Sequence, residues 1–370
     1  MSAVRAGLLT TFAASVAVCL LAAGCTSGTK SAAPPGPAPA GATAPGSASS
    51  SLTALTPSAR AVTPPTSAAL TSTPSTSHAP SSAAPSPSAT ATKPAIPGHC
   101  ATPAACGFPD ASSTGPRVKS FSQHSGNIEI HTDGQVISGW DLHGALDIYA
   151  NNVTVIDSRI TSATWWGVYL RQGYGGLKVL HSTIVGSSTL GPDNGGTDYG
   201  VSNSASGPLE VGWCDISQFG ADVSTGHGDV HDNYTHNQAN FINLGHEWVH
   251  TDSIISGGSD TGGLVVRHNT LINQTPFDKG ASASVGLFPD DGPVANTTVD
   301  DNWLAGGAYA FYGGDAGASN IKVTNNVFST EISPNGGYYG FVAHWNATGS
   351  GNVFSGNRTS DGKPVSTTGQ

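Results

Sequence analysis

The stretch "VRHNTL", Val266 to Leu271, returns in altered form as "VDDNWL", Val299 to Leu304, and as "VTNNVF", Val323 to Phe328. Four earlier segments keep its pattern of a valine, a small or amide residue three positions on, and usually an apolar residue at the end: "VIDSRI" (155–160), "VLHSTI" (179–184), "VGWCDI" (211–216) and "VHDNYT" (230–235). From valine to valine the steps are 24, 32, 19, 36, 33 and 24 residues, a coil in the twenties lengthened by insertions. Repetition at that period, carried by short β-branched runs between Gly and Asn, marks a solenoid in which each repeat buries its apolar face against its neighbours.

Each valine segment has a partner strand candidate in its coil, among them "GVYLRQ", "YGVSNS", "TDSIIS" and "YAFYGG". Two or three short strands per coil, with no amphipathic helix between them, predict parallel strands stacked coil on coil at about 4.8 Å. The fourth position of the valine segment holds Ser158, Ser182, Cys214, Asn233, Asn269, Asn302 and Asn326. Asparagine tolerates the left-handed conformation at a sharp bend, and stacked amides can hydrogen-bond from coil to coil. On these residues the chain resembles the right-handed parallel β-helix superfamily of pectate lyases and polygalacturonases, over roughly residues 126 to 358. The resemblance implies an all-β solenoid and an extracellular polysaccharide partner. It says less about chemistry, because that fold hosts lyases, hydrolases, epimerases and adhesins. "GFPDASSTGP" (107–116) is similar to the opening of secreted β-helix proteins of actinobacteria.

The termini set an address. Residues 1–25 carry Arg5, an apolar run and "LLAAGC", the pattern of an export signal ending in a lipobox. Lipidation at Cys25 would anchor the protein to the outer face of a bacterial membrane, with plain secretion as the alternative. Residues 26–97 contain no acidic or aromatic side chain and read as a disordered, semi-rigid Ala/Pro/Ser/Thr-rich stalk. Residues 98–370 form one β-helix domain. All 24 acidic residues fall there, with ten of the 14 basic ones once Arg5, Lys30, Arg60 and Lys93 are set aside. So acidic a domain argues against nucleic acid as a partner. Cys100 and Cys106 are spaced to close a small disulfide loop, leaving Cys214 as a buried apolar group.

"HEWVH", His246 to His250, spells the H-E-x-x-H signature of zinc proteases, which requires a helix to bring two histidines to one ion. Its neighbours "NFINLG" and "TDSIISGG" favour turn and strand. Residues four apart on a strand lie about 13 Å apart, too far to share a metal, so no metal site is expected there.

The remaining polar features supply the candidates. His250 and Asp252 share one side of a strand by the period of two. A register with Ser253 and Ile255 inward turns them to solvent; one with Ile254 inward buries them. The first is the more economical, because a buried carboxylate is costly. Asp290 and Asp291 in "FPDDGP", Asp315 in "YGGDAG" and His227 in "GHGD" lie near the ends of the same strand series. Asp291 and Asp315 stand eight residues before their coils' valines, so they would stack on adjacent coils, where like charges push one carboxyl's pKa up. Such a pair suits glycoside hydrolysis, with His250, Asp252, Asp290 and Asp291 as catalytic candidates. His227, Asp315, Trp165, Trp166, Tyr338 and Tyr339 are candidates for holding sugar rings, although turn chemistry and interior-capping aromatics explain the same residues. "GHG" resembles polygalacturonase-type hydrolases, but the paired aspartates follow it here instead of preceding it, so their mechanism does not carry over.

The expected function is a cell-surface hydrolase of extracellular polysaccharide. A lyase would need a basic proton acceptor, and Arg171, Arg267 and Lys279 are few; a polysaccharide lyase or a non-catalytic wall-binding module are the alternatives. No cofactor is expected. The acidic turns offer oxygen ligands of the kind Ca²⁺ takes, without its ligand spacing.

Overall fold

Every valine segment turns a corner. Val155, Val179, Val211, Val230, Val266, Val299 and Val323 are fully buried, and two residues later the chain bends through Asp157, His181, Trp213, Asp232, His268, Asp301 and Asn325, whose φ lies between 44° and 57°. The left-handed residue therefore falls one position before the one expected. The residue after it points its side chain inward: Ser158, Ser182, Cys214, Asn233, Asn269, Asn302 and Asn326 are all fully buried. The physical division is plain. Strain at the bend is borne by mostly short polar or imidazole side chains nearer the surface, while the asparagines satisfy buried backbone. Asn233 Nδ2 donates to Asn269 Oδ1 at 3.0 Å, Asn302 Nδ2 to Asn326 Oδ1 at 3.0 Å, and Asn326 Nδ2 to Asn357 Oδ1 at 3.0 Å.

The computed structural model describes residues 99–187, 193–204, 207–258 and 263–367. The export signal, Cys25 and the stalk lie outside the described residues. The described chain coils through three all-parallel sheets. Sheet A runs from Ser122–Ser125 to Arg358–Thr359, sheet B from Ile128–Ile130 to Gly340–Ala343, and sheet C from Val136–Ser138 to Val353–Ser355. Each coil visits A, B and C in turn, and parallel crossovers of this kind wind right-handed. The domain is a right-handed parallel β-helix.

The core is built of vertical stacks. Val168, Val201, Val223, Ile254, Val285, Phe311 and Val342 pair in register through sheet B. Ile160, Ile184, Ile216, Thr235, Leu271, Leu304 and Phe328 do the same in sheet A. Each buried aliphatic side chain contributes about 1.5–3 kcal/mol, and register is fixed because a one-residue slip would turn every stack outward.

A segment that the repeats do not account for closes the outside of sheet A. Residues 100–117 run back from the last coils to the first. Cys100, disulfide-bonded to Cys106, gives its N–H to Ser360 O at 2.8 Å. Phe108 stacks on His268 and tilts against Trp303, whose ring it buries. Further along, Gly115 N–H reaches Trp213 O at 2.8 Å, and Arg117 grips Asp157 with both Nε (2.9 Å) and Nη2 (2.7 Å). The strap leaves sheet B and much of sheet C as the outward faces.

Candidate active site

Sheet B carries an irregularity in its ladder. In the strand Thr251–Ser256 the register slips between Thr251 and Asp252. Ser253 and Ile254 are both fully buried and Ile255 is partly exposed. Ile254 is the core residue, so the register that would have put Ile255 inward is corrected. Asp252 is nevertheless buried, with no exposed surface, while His250 on the same strand approach stays exposed.

Its surroundings follow from Gly286 on the next strand. Val285 faces the core, so the position of a Cβ on Gly286 marks the opposite, outer side. A Cβ there would lie 2.2 Å from Phe288 Cε2 and 2.9 Å from Asp252 Oδ1. The Asp252 carboxyl thus lies on the outer face of sheet B beneath the Phe288 ring, in space that only glycine leaves free.

Neither Asp252 oxygen makes a hydrogen bond of ordinary geometry. Burial pushes its pKa up to about 7; the Ser282 hydroxyl and the Ala283 N–H favour the charged form and restrain that rise, and the charge of Asp290 adds to it. Asp198 is a second such group. Burial, helped by Asp193, brings it to about 7. Between them lies Tyr199, pushed up to about 12 by burial and by the charges of both Asp198 and Asp252. In the strand ladder Tyr199 pairs with Ala221 and Ala221 with Asp252, so the two carboxyl-bearing coils are two steps apart, roughly 10 Å.

An aromatic row runs along the same face on both sides of Asp252. Toward the last coils, Phe288 meets Tyr312 (5.1 Å between centroids), Tyr312 meets Tyr309 (5.4 Å), and Tyr309 meets Tyr339 (5.7 Å). The row ends in the exposed pair Phe277 and Tyr338, stacked at 4.3 Å and 10°. Toward the first coils, Trp166 and Tyr169 lie 4.5 Å apart, and the Arg171 guanidinium sits over both while paired with Asp147.

The sequence candidates divide accordingly. Asp252, Trp166, Tyr338 and Tyr339 belong to this face, and the Trp165 carbonyl accepts the Asp198 and Tyr199 N–H groups. His250 is exposed at the entry to the Asp252 strand, and Asp290 and Asp291 are exposed on the turn leaving the next one. Asp291 packs on Gly257 and gives its N–H to Gly257 O at 2.8 Å, whereas Asp315 pairs with His344 Nδ1 at 3.0 Å. His344 in turn stacks on Tyr312, which joins Asp315 to the row. His227 lies apart, in a groove of about 650 Å³ on sheet C beside Lys178, Glu210 and Asp229.

"HEWVH" is a turn, closed by a bridge between Ile242 and Trp248, with His246 at φ 64°. Its two histidines therefore lack the helical face that one zinc ion needs. Among the described residues no group of three or more His, Cys, Asp and Glu is arranged to hold a metal.

Sequence reasoning missed Asp198 and Asp193. Aligning the sheet B segments on their core residues would have shown Asp198, Asp222 and Asp252 on successive coils, at three, one and two positions before Val201, Val223 and Ile254. It also missed Asp232 under the strap. Burial opposes its charge, but His231 (2.9 Å) and His268 (2.6 Å) hold it well below the usual carboxylate range. No family model, curated protein or solved structure matches the chain. Its class is thus set by architecture, a parallel β-helix with a buried carboxyl in an aromatic outer face.

Proposed function

We propose that this domain is a cell-surface enzyme that hydrolyses an extracellular polysaccharide along the outer face of sheet B, with Asp252 as its proton donor. The observation that supports this most is the setting of that carboxyl: it is fully buried, with no hydrogen bond of ordinary geometry and only the Ser282 hydroxyl and the Ala283 N–H favouring its charge, poised to hold a proton near neutral pH, and set midway along a row of aromatic rings. Glycoside hydrolysis asks for such an acid beside the leaving oxygen and for a carboxylate that activates water. The exposed Asp290 and Asp291 are the candidates for the second role, with His250 beside the strand entry. Aromatic faces suit the apolar faces of sugar rings. Substrate would reach Asp252 only when the Phe288 ring turns aside.

The complete burial of Asp252 favours a second reading, a binding module whose acid is structural. Incubating the domain with a panel of plant, algal and bacterial wall polysaccharides separates the cases. New reducing ends without unsaturated products support hydrolysis; unsaturated products mean a lyase; retention with neither means binding alone. The same proposal places the domain outside the membrane, carried by a lipid on Cys25 or secreted, with a Ca²⁺ requirement tested by adding chelator.

A further inference from the structure

The nine strands of sheet B contain no Lys and no Arg. Of the ten cations beyond residue 97, only Arg171 and Lys279 lie in the connections that enter or leave that sheet; the others belong to sheets A and C, to the strap or to the C-terminal end. Both are engaged. Arg171 is paired with Asp147 and enclosed by Tyr149, Trp166 and Tyr169. Lys279 sits 4.4 Å over the Trp248 ring. Against them stand Glu129, Asp147, Asp222 and Asp252 on the strands and Asp198 just before one, with the exposed Asp290, Asp291 and Asp315 on the turns that follow.

We infer that the polysaccharide taken by this face is uncharged: a neutral glycan, not a polyuronate or a sulfated chain. The inference rests on the reading of the face as a polysaccharide site. Carboxylates along a glycan need cations to replace the water they lose on binding, and here they would meet like charge instead. A neutral glycan loses nothing by that field. Its ring faces can lie on Phe277, Tyr338 and Trp166, and its hydroxyls can donate to the exposed aspartates, acceptors that a uronate could not use with its own carboxylate. Neutrality also fits hydrolysis, since β-elimination acts on the acidified carbon beside a uronate carboxyl.

Affinity electrophoresis of the purified domain through gels holding β-glucan, mannan, polygalacturonate or alginate tests this, at low and at physiological salt, with and without Ca²⁺. The expected result is retardation by at least one uncharged glycan, unchanged by salt, with an apparent Kd at least about tenfold below that for either polyuronate in every buffer. Polyuronate bound as tightly as the best neutral glycan, whether directly or only with Ca²⁺, would overturn the inference and leave the polysaccharide site standing. Binding to none of the four would overturn both.

Discussion

Asn269 gives its side-chain amide proton to Asn302 Oδ1 at 2.9 Å, and the same oxygen takes the Asn269 backbone N–H at 3.0 Å. Asn302 repeats the arrangement toward Asn326. The ladder thus binds coil to coil where no water reaches, and each amide answers a backbone group that would otherwise be buried without a partner.

Replacing Asn302 by Ala should cost about 3 kcal/mol or more, because it orphans the Asn269 donors and removes a buried amide. Asn302→Ser should cost less, since serine fills the same place at Ser158 and Ser182, where Ser182 Oγ accepts the Ser158 N–H at 3.1 Å. Urea denaturation monitored by circular dichroism would measure both. An alanine variant as stable as the parent contradicts the ladder's role.

Cys214 takes an asparagine's place in that ladder, and burial pushes its thiol up to about 12. In the domain from residue 98 onward a thiol reagent should label nothing in the folded state and one sulfur after unfolding without reductant, Cys100 and Cys106 being paired. Rapid labelling of the native domain would show that the thiol is accessible.

Folded Asp252 keeps its proton up to about pH 7, whereas an unfolded aspartate releases it near 3.8. Between those values the folded state binds more protons, so the contribution of Asp252 to stability is complete below pH 3.8 and is lost as pH rises toward and through 7. Asp252→Asn removes that dependence. Relative to the parent, the variant should gain roughly 2–3 kcal/mol between pH 5 and pH 8, read from denaturation at the two values. Asp198 has the same sign but is common to both proteins, so it cancels. A difference that does not change with pH would mean that Asp252 is charged when folded.

The architecture was legible because it is periodic. Valine steps and the asparagine column repeat whatever the insertions do, and "TDSIIS", "YAFYGG" and their counterparts are the strands of sheet B. The position of Asp252 was not legible, because the strands of sheet B bury two adjacent residues, Ser253 and Ile254 here as Gly167 and Val168 or Gly200 and Val201 elsewhere, so a two-residue period does not assign their faces. Its cover depends on Gly286 and Phe288, more than thirty residues away, and no local pattern announces that a missing Cβ makes room for a carboxyl. The strap announced its disulfide, Cys100 to Cys106, but not its course: its anchors, Phe108 and Arg117, meet residues from coils far along the chain.

Phe277 and Tyr338 are exposed and stacked on one another, and the Tyr338 backbone N–H, which a substitution to Ala keeps, donates to Gly307 O at 2.8 Å. Changing either to Ala should leave the melting temperature within a few degrees of the parent and weaken glycan binding by about tenfold, a loss of about 1.4 kcal/mol. Isothermal titration with an oligosaccharide of the glycan that binds best checks this. Unaltered affinity in both variants would move the binding surface away from this end of sheet B.

The most direct measurement compares the parent with Asp252→Asn in release of reducing ends from that glycan across pH 5 to 9, with binding measured alongside. The account predicts parental activity that falls as pH rises through about 7, where Asp252 loses its proton, and a variant that binds the glycan as before with kcat at least about a hundredfold lower. A variant that cleaves at the parental rate would contradict it.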